Sequence, residues 1–378
     1  LGWKQELYLN RMDTIQRFFA LLRSGLWGKA VESSLFADGE TDWDAIISMS
    51  MEQTVTALVF DGMETLPPAL RPSKANVMKW FSMVVRVEQS NKLLDRELAN
   101  IVEFYRGHSI FPILLKGQGV ASLYPRPEHR QCGDIDLYLG DDYERAKELI
   151  ASQGIKLGDE GEKHVSYSYN GAPVENHHYA VCFYNPRQNR ILQRWAKEWL
   201  SAKTKTFHVR DTEVLLPAPG FDAIYLLIHA LLHFIPEGIG LRQVCDWTLI
   251  LKTYHRQIDR ERLIGEVRLL KMEDAFRTFG YVAVHYLGLP AECIPFPLDN
   301  VAEAGEFLLH DILEGGNFGK MREEDKKLPQ GKWGKVWYNY KHIHARCKKM
   351  KVFCREEARW YPYFRALNLV YKKLHGLD

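Results

Sequence analysis

The run 114–139, LLKGQGVASLYPRPEHRQCGDIDLYL, holds two carboxylates two residues apart, Asp134 and Asp136. Side chains on a strand alternate faces, so this pair shares one face while Ile135 and Leu137 turn to the other. Neighbouring carboxylates repel unless positive charge lies between them. A divalent cation held by oxygen ligands and substrate phosphates is the usual solution. Upstream, Lys116-Gly117-Gln118-Gly119 closes the apolar run 110–115. Glycine lets a backbone approach a ligand closely, and a helix after the turn offers free N–H groups to an anion. Downstream, the extended segment Pro173-Val174-Glu175-Asn176-His177-His178 supplies a third carboxylate. An isolated DxD is more simply an exposed strand face, here running into the turn Gly140-Asp141-Asp142. The glycine turn and the third acid shift the reading to a triphosphate-and-metal site, and so to phosphoryl or nucleotidyl transfer.

The K-G turn, the GDIDL strand and the later V-E-x-H strand resemble the nucleotidyltransferase superfamily of DNA polymerase beta. More closely they resemble its bacterial branch of uncharacterised nucleotidyltransferases, family 5. The likeness covers residues 110–178 well and the helical remainder loosely. It implies that Asp134 and Asp136 hold two magnesium ions, with manganese as the alternative. It implies that Glu175 completes the metal site and helps activate an acceptor hydroxyl, while Gly117 and its backbone cradle the triphosphate. In the superfamily the turn glycine is usually followed by glycine or serine. Here Gln118 follows Gly117 and Lys116 precedes it; all three are nucleotide-binding candidates, and the lysine is expected to make the phosphate contact as a mobile point charge.

Arg130, on the approach to Asp134, is a candidate phosphate clamp or a plain exposed arginine. His177 shares a strand face with Glu175; it contacts the acceptor or metal shell, or makes a structural hydrogen bond. His229 and His233, four apart, share a helix face without the glutamate of an HExxH motif. The expectation is one histidine at the cleft and the other satisfied structurally. Arg242 and Asp246 are also four apart, and form either a local ion pair or part of the cleft wall.

The elements that must position these residues divide the 378-residue chain into three. Residues 1–108 read as helical, with an amphipathic segment 11–27, a continuation over 42–62 and a long helix over 74–105. Residues 109–216 read as the α/β core. There Asp141-Asp142 is expected to cap a helix over 143–153 ended by Gly154. Strand 163–169, the Asn170-Gly171 turn and strand 173–183 form a hairpin that returns Glu175 to the sheet, and 207–216 adds one more strand. Residues 217–378 read as a helical domain with helices over 221–234, 241–254 and 260–286. The expected fold is α+β: a small mixed sheet of nucleotidyltransferase type flanked by helices.

Composition is that of an ordinary globular protein, 46% apolar and 26% charged. The most apolar segment, 221–235, is too short to span a bilayer and contains Asp222, His229 and His233. The six dispersed cysteines lack a CxxC pair, which fits reduced thiols, and no signal-peptide pattern opens the chain, so a cytoplasmic location is expected. Residues 319–378 carry 16 Lys and Arg against 6 Asp and Glu, interleaved with aromatic rings. Such a segment binds nucleic acid through phosphates and stacking, or forms a helical pair with buried rings and a solvated lysine face. The second is preferred.

The sequence thus predicts metal-dependent transfer of a nucleoside monophosphate from an NTP, with ATP the default, to an acceptor hydroxyl. A small-molecule or protein acceptor is favoured over nucleic acid, with no membrane partner. The alternatives are an inactive nucleotide-binding or regulatory protein of the same fold, favoured by Gln118, and an RNA-directed transferase. Relief of like-charge repulsion predicts that Asp136→Asn leaves stability without metal unchanged or higher.

Overall fold

The computed structural model describes residues 2–161, 163–202, 204–319 and 331–374. It is an α+β fold whose seven-stranded mixed sheet has the order β3 (Leu157–Glu160), β4 (His164–Tyr169), β5 (Ala172–His177), β2 (Ile135–Tyr138), β1 (Ile113–Leu114), β7 (Thr212–Pro217), β6 (Thr204–Val209). Four helices precede the sheet: α1 (Gly2–Trp27), α2 (Trp43–Glu52), α3 (Thr56–Glu64) and α4 (Lys74–Arg106). The continuation expected over 42–62 is two helices, because Thr54 turns the chain with φ 55° between α2 and α3. Ser73 caps α4 by accepting from Asn76 N.

The chain then enters the sheet through β1 (Ile113–Leu114), the single-turn α5 (Gln118–Ala121) and β2 (Ile135–Tyr138), followed by α6 (Tyr143–Ser152). Asp142 precedes α6 without capping it; its carboxylate instead accepts from Arg145. Next come β3 (Leu157–Glu160), absent from the sequence reading, then β4 (His164–Tyr169) and β5 (Ala172–His177). Asn170 and Gly171, with φ 48° and 88°, form the tight turn between β4 and β5. The strand expected to run to 183 stops at His177. The helix α7 (Pro186–Ala202) was not anticipated, and the single strand expected over 207–216 is the hairpin β6 (Thr204–Val209) and β7 (Thr212–Pro217). Two parallel pairings fix the centre of the sheet: β2 with β5 and β1 with β7.

After Pro219 at its first turn, α8 (Pro219–Phe234) leads to α9 (Leu241–Tyr254), α10 (Arg260–Leu269), α11 (Glu273–His285) and α12 (Ala302–Gly315). The helix expected over 260–286 is broken at Lys271, where φ is 55°. The basic end forms α13 (Lys332–Met350) and α14 (Arg355–Leu374).

Two apolar cores hold the sheet. On one face Ile135, Leu137, Val165 and Val174 pack with Leu98, Ile101 and Val102 of α4 and Ala146 and Ile150 of α6. This core encloses a polar triangle. Tyr167 donates to Asn176 Oδ1 at 3.0 Å, Asn176 donates to the Tyr105 hydroxyl at 2.7 Å, and the two tyrosine hydroxyls lie 3.1 Å apart. The other core joins Phe18, Leu58 and Trp80 of the first helices to Tyr225, Trp247, Phe276 and Phe279 of the later ones. Among the described residues no helix is long and apolar enough to cross a membrane.

Candidate active site

The site forms where β2 and β5 run side by side. Their register pairs Asp136 with Glu175 and Tyr138 with His177, so the acid of one strand stands beside the acid of the other on a common face. Asn176, fully buried in the tyrosine triangle on the opposite face, fixes which way β5 presents Glu175 and His177. Asp134 lies one residue before β2. Oxygens of Asp134, Asp136 and Glu175 all lie within 4.8 Å of one another. The expected carboxylate trio is therefore assembled.

A lysine and a histidine interleave with the acids. The Lys116 ammonium lies 2.5 Å from Asp136 Oδ2 and 3.3 Å from Asp134 Oδ1. His177 Nε2 lies 3.0 Å from Asp136 Oδ1 and 3.2 Å from Glu175 Oε2, while its Nδ1 faces Tyr179 O at 3.3 Å. Burial opposes ionisation of Asp136, yet Lys116 and His177 hold its carboxyl well below the usual range. At Asp134 the Lys116 charge lowers the pKa, but burial and the like charges of Asp136 and Glu175 leave it raised. Burial depresses the His177 pKa, and hydrogen bonds to Asp136 and Glu175 more than restore it, leaving it raised. The site is thus built for positive charge, and three hard oxygen donors fit a divalent cation.

In front of these groups opens a cleft of about 360 Å³, lined by Lys116, Gly117 and Asp134 from one edge and Lys163, His164 and Glu175 from the other. Helices α8 and α9 contribute His229, His233 and Arg242 to its far wall. Gly117 turns with φ 67°, a conformation that favours glycine, and passes against the backbone of Asp134. The helix after it is a single turn, so its dipole is small beside the fixed charges. Gln118, expected to touch nucleotide, is instead 4% exposed, lies off the cleft lining and, among the described residues, has both amide atoms without hydrogen-bond partners.

Arg130 lines the cleft but is buried, not an exposed arginine. It pairs bidentately with Asp246, Nε to Oδ1 at 2.9 Å and Nη2 to Oδ2 at 2.7 Å, and Tyr124 donates to the same carboxylate at 2.6 Å. That pairing displaces the expected local pair of Arg242 with Asp246. Arg242 Nη1 donates to Gln131 O, and its buried Nε has no hydrogen-bond partner among the described residues. Both histidines of α8 face the cleft, where one was expected, with ring centroids 4.7 Å apart. Burial and the charges of Lys163 and Lys116 push His233 down to about 3. Burial and His233 likewise push His229 down, so both rings are neutral near pH 7.

Lys163, His164 and Phe318 were missed. Pairing across the Asn170-Gly171 turn puts His164 opposite His177 and Ser166 opposite Glu175, a register already implied by the two-residue turn. Phe318 reaches the cleft from beyond α12 with φ 59°, its ring edge-on to His233 at 5.5 Å. No local pattern signals that contact.

Residues 39–288 match a family described as uncharacterised nucleotidyltransferase, well over half of the chain. The chain belongs to that family. Among solved structures it is similar to an antigenic nucleotidyltransferase-like protein from Paracoccidioides brasiliensis, at 14% identity and a TM-score of 0.30, covering 48% of this chain and 92% of that one. No curated protein matches it. Family membership supports a nucleotidyl transfer activity.

Proposed function

We propose that this nucleotidyltransferase moves a nucleoside monophosphate from an NTP, ATP by default, to an acceptor hydroxyl with release of pyrophosphate. The observation that carries the reading is the Asp136–Glu175 register with Asp134 alongside, facing a cleft edged by the Gly117 turn. Asp134, Asp136 and Glu175 would hold magnesium or manganese. Bound there, the ions supply charge neutralisation at the phosphates and a more acidic acceptor hydroxyl. Lys116, Lys163 and Arg242 offer positive charge along the cleft wall for the triphosphate, which places charge before the reaction begins. The neutral His229 and His233 give the cleft hydrogen-bonding groups that do not compete for the anion. A small-molecule or protein hydroxyl is the preferred acceptor. The test is turnover of labelled NTPs with cell extract, with and without magnesium, resolved by acceptor mass. Metal-independent labelling, or none with any NTP, defeats the proposal.

A second reading, nucleotide binding without turnover, is favoured by one contact. Lys116 reaches both aspartates, the place a cation would take. Calorimetric titration of magnesium, with NTP present, into wild type and Lys116→Met separates the two. The transferase reading expects wild type to bind magnesium as NTP draws the lysine away. Binding by Lys116→Met alone supports the second.

A further inference from the structure

We propose a second metal site beside the carboxylate trio, formed by His164, Glu175 and His177, which takes a transition ion of the zinc class rather than magnesium. It shares Glu175 with the reading above but requires no turnover.

The three ligands come from two adjacent strands on one face. Antiparallel pairing sets His164 opposite His177, and Glu175 lies two residues before His177. Their donor atoms all fall within 4.8 Å of one another. His164 Nε2 is 3.5 Å from Glu175 Oε1, and His177 Nε2 is 3.2 Å from Glu175 Oε2. Ligands about 2.1 Å from a common ion stand roughly 3–3.5 Å from each other, the spacing of both imidazole–carboxylate contacts, and the ion would displace the contact of His177 Nε2 with Asp136 Oδ1. The rings, 5.0 Å apart and tilted by 47°, converge on the carboxylate instead of stacking.

Two further features point to a nitrogen-ligated ion. The Nδ1 of His177 faces Tyr179 O at 3.3 Å, the outer hydrogen bond that orients a ligating imidazole with Nε2 inward. Among the described residues His164 Nδ1 is buried without a hydrogen-bond partner, so their hydrogen bonds do not account for the ring's placement. Two imidazoles and one carboxylate suit zinc, iron or cobalt, whereas magnesium prefers the all-oxygen trio. The pair His229 and His233 also offers two imidazoles, but no carboxylate joins them in a ligating group among the described residues.

The probe is zinc alone, one equivalent added to the full chain without nucleotide and read by X-ray absorption at the zinc edge, which counts imidazole ligands. The half-exposed His164 is the variant of choice, since the buried His177 is a risk to folding. Wild type is expected to show two imidazoles, His164→Ala one with at least tenfold weaker zinc binding, and Asp134→Asn and His229→Ala two. A tenfold excess of magnesium is expected to leave the wild-type signal in place. All-oxygen coordination, no zinc binding, or a signal moved by His229→Ala and not by His164→Ala overturns the proposal. Each of these outcomes leaves magnesium-dependent NTP turnover as a separate measurement, so loss of this site and loss of the transferase reading are distinguishable.

Discussion

On the α4 side of the sheet, Tyr105, Tyr167 and Asn176 close a buried triangle in which each polar group finds another. On the cleft side, three carboxylates crowd together, and among the described residues a ring nitrogen of His164 and the Nε of Arg242 find no hydrogen-bond partner. The two faces are one residue apart: Asn176 sits between Glu175 and His177. A closed polar network in a low-dielectric interior rigidifies what it touches, whereas unmet donors and like charges cost stability and persist where a ligand can complete them. The first face therefore aims the second.

The sharpest way to break this contrast is Asp136→Asn. Turnover is expected to fall about a thousandfold or more, as when charge-stabilising groups are removed elsewhere. Stability without metal is expected to fall too, the reverse of what repulsion between neighbouring acids predicts from the sequence. Lys116 and His177 both lean on this 1%-exposed carboxylate. Breaking a buried pair at one end costs about 3–5 kcal/mol. A metal-free Tm at or above wild type would show that repulsion dominates after all.

Asp222 tests whether unmet groups on the cleft-side helix carry a stability cost. It lies buried on α8 with Oδ1 unpartnered among the described residues, and burial, only partly offset by Lys205, pushes its pKa up to about 8. The unfolded carboxyl titrates near 3.9, roughly, so the folded state holds this proton more tightly. Stability is then lost as pH rises from about 4 through about 8. Asp222→Asn removes that slope. Its Tm advantage should be near zero at the acid end, grow through neutrality and level off beyond the folded pKa. An advantage independent of pH sinks the argument.

Tyr105→Phe sharpens the other side. Deleting one hydroxyl leaves Asn176 and Tyr167 short of a partner, a loss of about 1–3 kcal/mol by denaturant unfolding. Activity per folded molecule should hold at low temperature. A large kcat loss in fully folded protein would mean that the triangle does more than aim β5.

How much of this was legible follows from range. Local signals placed the Asn170-Gly171 hairpin, the start of α9 at Leu241 and the paired aspartates, because turn chemistry and periodicity act over a few residues. Hairpin register even carried His164, though its meaning depended on knowing that β5 lies beside β2. Pairs distant in sequence escaped. Arg130 reaches Asp246 across 116 positions, so the ion pair read as local to Arg242 is made from a distant segment instead. The amphipathic α7 fell between two expected strands, in a stretch given no element, and the breaks at Thr54 and Lys271 lack the glycine or proline that usually marks them.

Arg242→Gln separates an unmet cation from a committed one. It removes positive charge from the cleft wall without touching the Arg130–Asp246 pair. NTP affinity is expected to weaken about tenfold, the scale of one charge-assisted hydrogen bond. Stability should change little. Equal affinity in calorimetry would remove Arg242 from the triphosphate site.

The smallest expected effect belongs to the basic end. Arg346 is not a free cation: it is buried, pairs with both oxygens of Asp311 at 2.8 and 3.0 Å, and donates Nε to Ile235 O. Its neighbours Phe353, Met350 and Tyr361 are buried in the same core, while Lys341, Lys348, Lys349 and Lys351 are exposed. That is the helical pair with a solvated lysine face, except that Trp337, Tyr340 and Tyr363 remain on the surface. If unmet charge binds phosphate only where the sheet aims it, changing Lys348 and Lys349 to Ala should leave both NTP affinity and RNA binding unaltered. RNA retention across a salt series checks this, since each phosphate neutralised on a single strand adds about −0.7 to the log–log slope. A slope that flattens in the double variant would make the exposed rings and lysines of α13 an acceptor surface, and would favour RNA over a small molecule or protein.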